Sequence, residues 1–396
     1  MPDLGKKIAK LKSLKGCALK QRSVASIIST LGKLSVRWLD KNYTFRKKAV
    51  QRLVRRSRFT GSMSNALLDS LFCELTQTKL WNLLKAELGD PKVLDEFQHD
   101  RLTGKWQRAR GPHVITHIFS GNVPNPAIVS FILGMLVKSV NIGKVSSKDG
   151  GFLDIYLESL KDHDKKLAAT NYVLEPSVGA YCHTPLQECL QQSDLVVAYG
   201  NNESLKEIRN QVPVTTPFVG YGHRVSFGLC AKEALNRKYL RILAKKTAHD
   251  IWMTDQRGCL SPIEVFIERG GEVSINAFSE ELVRALNRAY SAKFWRLADS
   301  TKYILGIGGR KLVSVRGVKN MEDLSTILLP FQNYLQAVSL ETGNATERRV
   351  CMAEKFSCLG INRICRAGQM QVPPITWHHD GKFNLASWVN WTDLEI

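Results

Sequence analysis

One of the nine cysteines lies in a context suited to nucleophilic chemistry. In DQRGCLSP, Cys259 follows Gly258 and stands between a segment of helical periodicity and the strand-like PIEVFIE. The small neighbour lets a substrate approach the thiol, and a thiolate attacks carbonyl carbon when positive charge or oriented amides stabilise it. Arg257 could supply that charge, although adjacent side chains often point apart. From residue type alone, a buried structural thiol is the more common role of a cysteine.

Other groupings of cysteine, histidine and aspartate give weak support for a metal site. Two sets stand out by spacing, namely Cys182, His183 and Cys189, then Cys351, Cys358 and Cys365. Neither contains a CxxC pair or a matching second half, so we predict no metal. The seven-residue repeat predicts one helical face, where cysteine packs as a small hydrophobe. In WHHDG, His378 and His379 stand beside Asp380, and we expect a packing or interface role for them.

The loops that follow strand-like segments are candidates for a dinucleotide site. The GxGxxG fingerprint is absent, because ILGIGGRKL lacks the third glycine and a following helix pattern, and we expect it to form a strand and a turn. The candidate loops are GNVPNP, GKVSSKD and YGNNES. Lys144 could contact ribose or phosphate, although a lone lysine is more often an ordinary surface residue. Gly200 would let the backbone approach a cofactor, and Asn201 and Glu203 open the next helix.

The elements that would position these residues alternate between strands and helices from His113 onward. VITHIFSG, SVNIGKVSS, DLVVAYG and VTTPFVGYG have strand character, and helical segments separate them. This alternation predicts parallel strands covered by helices on both faces. A second α/β unit is expected to begin near residue 226. Before the first strand, residues 61–88 have helical spacing, with Ser64 and Asn65 as the predicted N-cap and Gly89 as the predicted end.

Composition and hydropathy indicate a globular protein. The chain of 396 residues is 44% hydrophobic and 23% charged, which predicts two or three domains with full cores. It contains no run of about 18 apolar residues and no signal-peptide pattern. We therefore expect a cytoplasmic protein, peripheral at a membrane if its basic residues bind lipid.

Positive charge is concentrated at the N-terminus. The net charge is +20, and residues 1–58 carry 17 Lys and Arg against Asp3 and Asp40 alone. Helices with a basic outer face could meet an anionic membrane, an acidic protein or nucleic acid. A solvated helical face explains such charge equally well. Nucleic acid is the least favoured partner, because no reader motif accompanies the charge.

Four longer segments occur in a fixed order along the chain. They are HIFSGNVPNPAIVSFILGMLVKSVNIGKVSSKD, GYGHRVSFG, DQRGCLSP and WHHDGKFNLASWVNW. In sequence and in order they resemble the acyl-CoA reductases of the LuxC type, within the aldehyde dehydrogenase superfamily, from about Gly61 to Ile396. The resemblance implies an α/β, aldehyde-dehydrogenase-like fold with two α/β domains and a cleft between them, after a basic helical N-terminal arm. The expected limits are 1–60 for the arm, 61–225 for an NADPH-binding domain, 226–375 for a catalytic domain and 376–396 for a C-terminal return segment.

The same resemblance implies roles for individual residues. Cys259 corresponds to the cysteine that accepts the acyl group, and Asn122 to the asparagine whose side-chain amide helps to form the oxyanion hole. Lys144 and Ser146, and the loop from Gly200 to Glu203, fall where the superfamily contacts the ribose and phosphates of the cofactor. NADPH rather than NADH is expected from the resemblance alone, because no residue here independently reads a 2′-phosphate.

One departure from the aldehyde-oxidising branch indicates the direction of the reaction. Those enzymes carry a glutamate before a Gly-Gly pair to activate water, whereas the sequence here is FVGYGHR, with Val219 at about that place. The loss suits a reductase, which gains nothing by hydrolysing its acyl-enzyme. His223 is the nearest titratable replacement and could exchange a proton with Cys259 or with the departing thiohemiacetal. A hydrogen-bonded structural histidine is an equal alternative.

The sequence therefore predicts NADPH-dependent reduction of a fatty-acyl thioester to a fatty aldehyde, through an acyl-cysteine on Cys259. The acyl donor would be acyl-CoA, an acyl carrier protein or a partner acyl-synthetase, and we expect a homo-oligomer. The alternative hypothesis is a catalytically inactive relative that acts as a scaffold and binds membrane or carrier protein through its basic arm.

Overall fold

The computed structural model describes residues 4–56, 59–121, 123–146, 151–174, 183–289, 296–297 and 312–395. The chain divides into two units. Unit 1 comprises Met1–Gly222, Pro374–Thr376 and Lys382–Ile396, and unit 2 comprises His223–Pro373 and Trp377–Gly381. Asn122, Cys182 and the segment ILGIGG lie outside the described residues. The domain limits expected from the resemblance stay predictions.

Unit 1 begins with helices that form part of its core. Its helices are α1 (Leu4–Leu14), α2 (Val24–Leu39), α3 (Thr44–Arg56), α4 (Gly61–Phe72), α5 (Gln77–Leu88), α6 (Asn125–Leu136), α7 (Phe152–His163), α8 (Lys165–Ala168), α9 (His183–Gln191) and α10 (Asn202–Gln211). Ile8 and Leu11 of α1 pack in one apolar cluster with Val114 and Val140. Trp38 of α2 is fully buried. The apolar faces of the basic N-terminal helices are thus packed against the unit.

Part of the N-terminal charge is neutralised within unit 1. Arg22 forms an ion pair with Asp164 at 2.6 Å, and Lys48 pairs with Glu158. Arg46 is itself buried and pairs with Asp69 at 2.7 Å. These pairs leave fewer basic groups for a partner than the sequence count indicates.

Among the described residues, no helix has the length and apolar character needed to cross a membrane.

Residues 61–88 form two helices where the sequence pattern predicted one. The predicted N-cap is also wrong, because Thr60 caps α4, with Oγ1 accepting the Met63 N–H at 3.2 Å. Ser64 is instead buried within the helix. Gly89 ends α5 as predicted, at a positive φ of 74° that glycine adopts without strain.

A five-stranded parallel sheet forms the centre of unit 1. Its strands are β3 (Val114–Ile118), β4 (Val140–Lys144), β5 (Asn171–Leu174), β6 (Leu195–Tyr199) and β7 (Phe218–Tyr221). Two earlier strands, β1 (Gln98–His99) and β2 (Trp106–Arg110), belong to a separate sheet. The five-stranded sheet has the order β5-β4-β3-β6-β7, and every residue of β3 is buried. The chain passes from β3 outward to β5 and then returns to β6 beside β3. The loops after β3 and β6 consequently diverge at the carboxyl edge, where ligands bind in such sheets.

Unit 2 is a second parallel α/β structure. Its helices are α11 (Leu240–Trp252), α12 (Ile275–Ala289), α13 (Met321–Leu328) and α14 (Thr346–Cys358), and its strands are β8 (Val225–Cys230), β9 (Pro262–Glu268), β10 (Arg296–Leu297), β11 (Leu312–Val318), β12 (Leu335–Glu341) and β13 (Arg363–Cys365). The sheet order is β10-β11-β9-β8-β12-β13. Val265 and Ile267 of β9 pack with α11 and α12, whereas Phe266 packs with α13 and α14. Helices therefore cover both faces, as the sequence predicted.

The C-terminal segment returns to unit 1. Its strand β14 (Asn390–Leu394) pairs antiparallel with β2 and completes a three-stranded sheet. The buried carboxylate of Glu87 on α5 accepts three backbone N–H groups, from Asn384 at 2.7 Å, Leu385 at 2.9 Å and Ala386 at 3.0 Å. This carboxylate anchors the segment ahead of β14.

Candidate active site

Cys259 lies in a tight turn between α11 and β9. The turn closes through a hydrogen bond from the Ser261 N–H to the Gly258 carbonyl at 2.9 Å, so Cys259 and Leu260 take its two central positions. Cys259 is exposed, whereas Leu260 is buried. The nucleophile predicted from DQRGCLSP is therefore accessible to a reagent, and it precedes β9 at the amino end of the sheet.

The approach to this turn is strained and closely packed. Asp255 and Gln256 both have positive φ, at 52° and 55°, although neither is a glycine. Such backbone persists where surrounding contacts hold it, and it is frequent at functional sites. A Cβ atom at Gly258 would lie 3.2 Å from Thr254 Oγ1, so the residue before the nucleophile has little room for a side chain.

Polar side chains of unit 2 hold the turn in place. Ser226 Oγ donates to the carbonyl oxygen of Cys259 at 2.6 Å. The hydroxyl oxygens of Thr254 and Ser261 lie 2.6 Å apart, and Gln371 Nε2 donates to Ser261 Oγ at 3.0 Å. These bonds fix both ends of the turn, which limits the positions that the thiol can take.

Opposing effects set the pKa of the Cys259 thiol. Desolvation and then the charge of Asp380 raise it, whereas the N–H groups of Cys259 and Leu260 and the charge of Arg224 act in the lowering direction. Because the thiol is exposed, contact with solvent limits this desolvation. At rest the sulfur is thus mainly protonated.

The positive charge that acts on Cys259 is that of Arg224, whereas the sequence pointed to Arg257. Arg257 instead pairs with Asp255, with 3.8 Å between Nε and Oδ2. Arg224 directly precedes β8, the neighbour of β9, and donates from Nη2 to Asp380 Oδ2 at 2.9 Å. Its Nη1 donates to the Asn333 carbonyl at 2.8 Å. The guanidinium is therefore held at the amino edge of the sheet.

Asp380, the partner of Arg224, is the less expected of the two charged residues that act on Cys259. Its side chain is 5% exposed, its φ is 54°, and Oδ1 accepts a hydrogen bond from Gln336 Nε2 at 3.0 Å. The WHHDG segment was predicted to have a packing or interface role, and the charge of its Asp380 also acts on Cys259. In the sequence, only the place of this segment among the four ordered segments points to such a role.

His379 joins the same group of charges. Its Nε2 lies 3.8 Å from Asp380 Oδ1, and its ring lies 4.9 Å from that of Trp377. Trp377 in turn packs against a cluster that contains Leu260. Desolvation lowers the pKa of His379 to about 4 against the opposing charge of Asp380, with Arg224 acting in the same direction as desolvation. The imidazole is therefore neutral at physiological pH.

Two of the three predicted catalytic residues are not brought to the turn by any described contact. His223 is exposed, with its ring 6.4 Å from that of Tyr334, and no hydrogen bond joins it to Cys259 in the described part of unit 2. Its role in proton transfer stays a prediction. Asn122 lies outside the described residues, so its role in an oxyanion hole also stays a prediction.

The cysteine repeat predicted as one helical face is not one. Cys351 and Cys358 are exposed on α14, whereas Cys365 belongs to β13. The interpretation was wrong because a seven-residue spacing fits a helix only while the helix continues, and α14 ends at Cys358. Among the described residues, no group of three or more His, Cys, Asp and Glu could hold a metal ion.

The predicted cofactor residues lie at the carboxyl edge of the sheet in unit 1. Lys144 is the exposed last residue of β4, and Ser146 follows it in a half-buried position. Gly200 directly follows β6. Asn201 caps α10, with Oδ1 accepting the Ser204 N–H at 2.8 Å.

Glu203 is exposed in the first turn of α10. An exposed ammonium and a helix N-terminus at the same edge of the sheet suit a ligand that carries phosphates and ribose hydroxyls. The donor set fits a dinucleotide, although contact with one stays a prediction.

Solved structures of aldehyde dehydrogenases share this fold. A propionaldehyde dehydrogenase from Clostridium phytofermentans aligns with a TM-score of 0.69 and 8% identity, over 100% of this chain and 97% of its own. An acetylating aldehyde dehydrogenase from Geobacillus thermoglucosidasius aligns with a TM-score of 0.67 and 10% identity, over 100% and 98%. At this identity the likeness concerns the fold alone, and it confirms the predicted aldehyde-dehydrogenase-like architecture.

Curated relatives share more of the sequence. The long-chain acyl-protein thioester reductase of Photobacterium phosphoreum is 26% identical over 281 residues, which cover 68% of this chain and 55% of the relative. That of Aliivibrio fischeri is 22% identical over 399 residues, which cover 91% and 80%. The chain thus spans little more than half the length of the first relative.

A family match covers most of the chain. The family described as acyl-CoA reductase (LuxC) matches residues 19–304 and 295–391. Both the turn of Cys259 and the segment around Asp380 fall within these ranges. The chain therefore belongs to the LuxC family of acyl-CoA reductases.

Proposed function

We propose that this protein reduces a long-chain acyl thioester to an aldehyde and that Cys259 carries the acyl group between the two steps. The observation that carries the proposal is the exposed thiol in a clamped turn, with its own N–H, the N–H of Leu260 and the Arg224 charge acting to stabilise a thiolate. The names of the curated relatives support an acyl thioester as substrate.

The first step transfers the acyl group to the protein. The Cys259 thiolate attacks the carbonyl carbon, a bond from carbon to Sγ forms, and the bond to the donor sulfur breaks. The donor leaves as a thiolate that takes up a proton. Backbone N–H groups at the turn would hold the oxyanion, with Asn122 as a second donor. Oriented donors of this kind contribute about 10²–10³ in rate.

The thiol must lose its proton before it attacks. A general base works best with a pKa near the working pH, so His379, whose pKa desolvation lowers to about 4, is the weaker candidate acceptor. His223 is the acceptor predicted from the sequence. A pH–rate profile distinguishes them, since replacing the true acceptor by glutamine would remove an ionisation from the profile, and replacing the other would not.

The second step needs a reductant at the same carbon. A reduced nicotinamide cofactor supplies the hydride when it is bound. Lys144 and Ser146, and the loop from Gly200 to Glu203, would hold its ribose and phosphates. The preference for NADPH rests on the resemblance. The N–H groups at the Cys259 turn would again stabilise the developing oxyanion until the thiolate departs.

The experiment is single-turnover acylation followed by a reductant chase. We expect labelled acyl-CoA or acyl carrier protein to label the peptide that contains Cys259, and NADPH to release the label as aldehyde. Cys259→Ala should abolish labelling, whereas Cys351→Ala, which alters another exposed thiol, should not. Labelling that persists in Cys259→Ala would falsify the assignment. Labelling of Cys259 without NADPH consumption would favour the inactive scaffold.

Membrane contact through residues 1–58 stays a second proposal. Because the apolar face of α1 is packed in the core of unit 1, such contact would be electrostatic and not an insertion of the helix. Binding to anionic vesicles should then disappear at high salt, and binding that resists salt would contradict it.

A further inference from the structure

A cavity lies in unit 2, at the edge of the sheet opposite to Cys259. Cys259 and Arg224 stand at the amino ends of β9 and β8, whereas the cavity lies beyond the carboxyl ends of β8 and β12. Its volume is about 510 Å³. The seven residues of β9 place the two edges roughly 20 Å apart, at about 3.3 Å per residue. The cavity is therefore separate from the site proposed for acyl transfer.

The strand order of the sheet reverses at this cavity. From β8 the chain continues to β9 and β11 on one side, whereas β12 and β13 lie on the other side of β8. The loops that leave β8 and β12 diverge, and they open a crevice of the kind in which parallel sheets bind ligands. Glu233, Asn236 and Tyr239 line it from the first loop, and Asn344 and Ala345 from the second.

The buried carboxylate of Glu341 faces this cavity with one oxygen unsatisfied. The residue ends β12 and is 1% exposed, and its Oε1 accepts the Ala367 N–H at 3.0 Å. Its Oε2 lies 3.8 Å from both Arg349 Nη2 and Arg366 Nη1, too far for a hydrogen bond. Within the described chain, Glu341 Oε2 and Arg349 Nη2 are buried and have no hydrogen-bond partner. Buried polar atoms are normally paired, so the oxygen of Glu341, a residue that lines the cavity, lacks a donor.

A second carboxylate repeats this feature. Glu233 binds Arg348 through Oε1, and Arg348 also binds Glu268. The other oxygen of Glu233, Oε2, is buried and has no hydrogen-bond partner among the described residues. The described charged residues that line the cavity are Glu233, Glu341 and Arg366, and Lys246 donates to the hydroxyl of Tyr239 beside them. A neutral ligand adds no charge to this network, whereas a charged ligand would have to be offset by it.

We propose that this cavity binds a neutral polyhydroxylated small molecule of the size of a sugar or a nucleoside. A hydroxyl can donate to the unpaired oxygens of Glu233 and Glu341 and accept from the guanidinium of Arg366, and all three residues line the cavity. An ammonium group only donates, and a phosphate at neutral pH mainly accepts. The ring of Tyr239, whose hydroxyl accepts from Lys246 Nζ at 2.9 Å, provides an apolar wall for the carbon face of a sugar.

The test is ligand-observed saturation-transfer NMR on the full chain with five probes. D-Glucose and adenosine represent the two sources of a polyhydroxyl group, and putrescine and methyl phosphate represent cationic and anionic alternatives, with cyclohexanol as an apolar control. Ala345→Leu fills the cavity without touching its buried charges. Val350→Ala alters an exposed residue of the same helix away from the cavity.

We expect saturation transfer to glucose or adenosine, weakened about tenfold or more by Ala345→Leu and unchanged by Val350→Ala. Thermal unfolding and the alkylation rate of Cys259 should match wild type in both variants, which separates this site from the proposed acyl-transfer site. Preferential binding of putrescine, methyl phosphate or cyclohexanol would overturn the proposal. Transfer to no probe, or transfer to a sugar that Ala345→Leu and Tyr239→Ala both leave intact, would also overturn it.

Discussion

Arg224 and Asp380 form a hydrogen-bonded ion pair, with 2.9 Å between Nη2 and Oδ2, across 156 residues of sequence. Their charges act on the Cys259 thiol in opposite directions, Arg224 lowering its pKa and Asp380 raising it. Asp380 therefore holds the guanidinium of Arg224 in place, and its own charge partly offsets the stabilisation that Arg224 gives to a Cys259 thiolate. A resting thiol that is mainly protonated resists adventitious alkylation and oxidation, because the thiolate is the reactive form.

Removing the negative member of the pair should activate the thiol. Asp380→Asn deletes the charge that raises the pKa of Cys259 and keeps an oxygen that can accept from Gln336. We expect alkylation of Cys259 by iodoacetamide to become about threefold to tenfold faster at a fixed pH below the thiol pKa. Peptide-level mass spectrometry across a pH series measures this rate. Glu280→Gln, at an exposed ion pair on α12, is the matched control, and equal pH profiles for Asp380→Asn and wild type would contradict the argument.

Removing the positive member should do the reverse. Arg224→Gln raises the pKa of Cys259, so alkylation and acyl transfer should slow. The variant also leaves the buried Asp380 carboxylate without its ion-pair partner, at a cost of about 1–3 kcal/mol in the free energy of unfolding. Arg224→Lys restores the charge but cannot reproduce the two-armed contact with Asp380 and the Asn333 carbonyl. Recovery of the alkylation rate without full recovery of stability is the expected pattern, and a lysine variant as slow as Arg224→Gln argues against an electrostatic role.

Asp250 should make stability depend on pH. Burial raises its pKa to about 7, although its carboxylate accepts the N–H groups of Gly368 at 2.6 Å and Met370 at 2.9 Å. The folded protein therefore retains a proton that the unfolded chain releases between about pH 4 and pH 7. The free energy of unfolding contributed by this carboxyl is present in full below that range and decreases as pH rises through it.

Asp250→Asn should flatten this part of the stability profile. One of the two N–H groups would lose its acceptor, which costs about 1–3 kcal/mol. Urea unfolding at several pH values measures the difference between variant and wild type. A difference that does not change with pH would mean that Asp250 is ionised over the whole range.

Local patterns predicted the elements of this fold well. Alternating strands and helices were recognised because β3, β6, α10 and α12 carry their periodicity within ten or so residues. The four residues of β5 were not predicted, because they are mainly half-buried and are defined by pairing with β4. The break between α4 and α5 was also missed, since apolar spacing continues through it.

Only part of the candidate site could be predicted from the sequence, because local patterns do not encode contacts between distant residues. The loop that contains Cys259 makes it a candidate, and the family resemblance predicts it as the nucleophile. Arg224, Asp380 and Gln336 come together only when neighbouring strands align their amino ends, and no local spacing encodes that contact. His379 illustrates the limit, because its adjacency to His378 and Asp380 gives no indication that its surroundings keep it neutral.

Asn201 offers a way to separate helix capping from cofactor contact. Asn201→Asp keeps the acceptor for the Ser204 N–H, so thermal unfolding should be unchanged, but it adds a negative charge at the loop proposed to meet cofactor phosphates. NADPH affinity, followed by fluorescence titration, should fall about threefold to tenfold. Asn210→Asp adds the same charge at the other end of α10 and should leave NADPH affinity unaltered. If both variants bind NADPH like wild type, the loop does not contact the phosphates.

Glu87 should control whether the C-terminal segment stays attached to unit 1. Its carboxylate accepts the N–H groups of Asn384, Leu385 and Ala386, and glutamine offers one acceptor oxygen in place of two. We expect Glu87→Gln to lower the free energy of unfolding by about 2–3 kcal/mol. Limited proteolysis should then cut residues 382–395 before the rest of the chain, because the pairing of β14 with β2 is the main other contact that holds this segment. Mass spectrometry of the first cleavage products locates the cut. Glu96→Gln, at an exposed carboxylate of the same unit, should be cut like wild type. Identical cleavage of Glu87→Gln and wild type would mean that the pairing of β14 with β2 is sufficient to hold the segment.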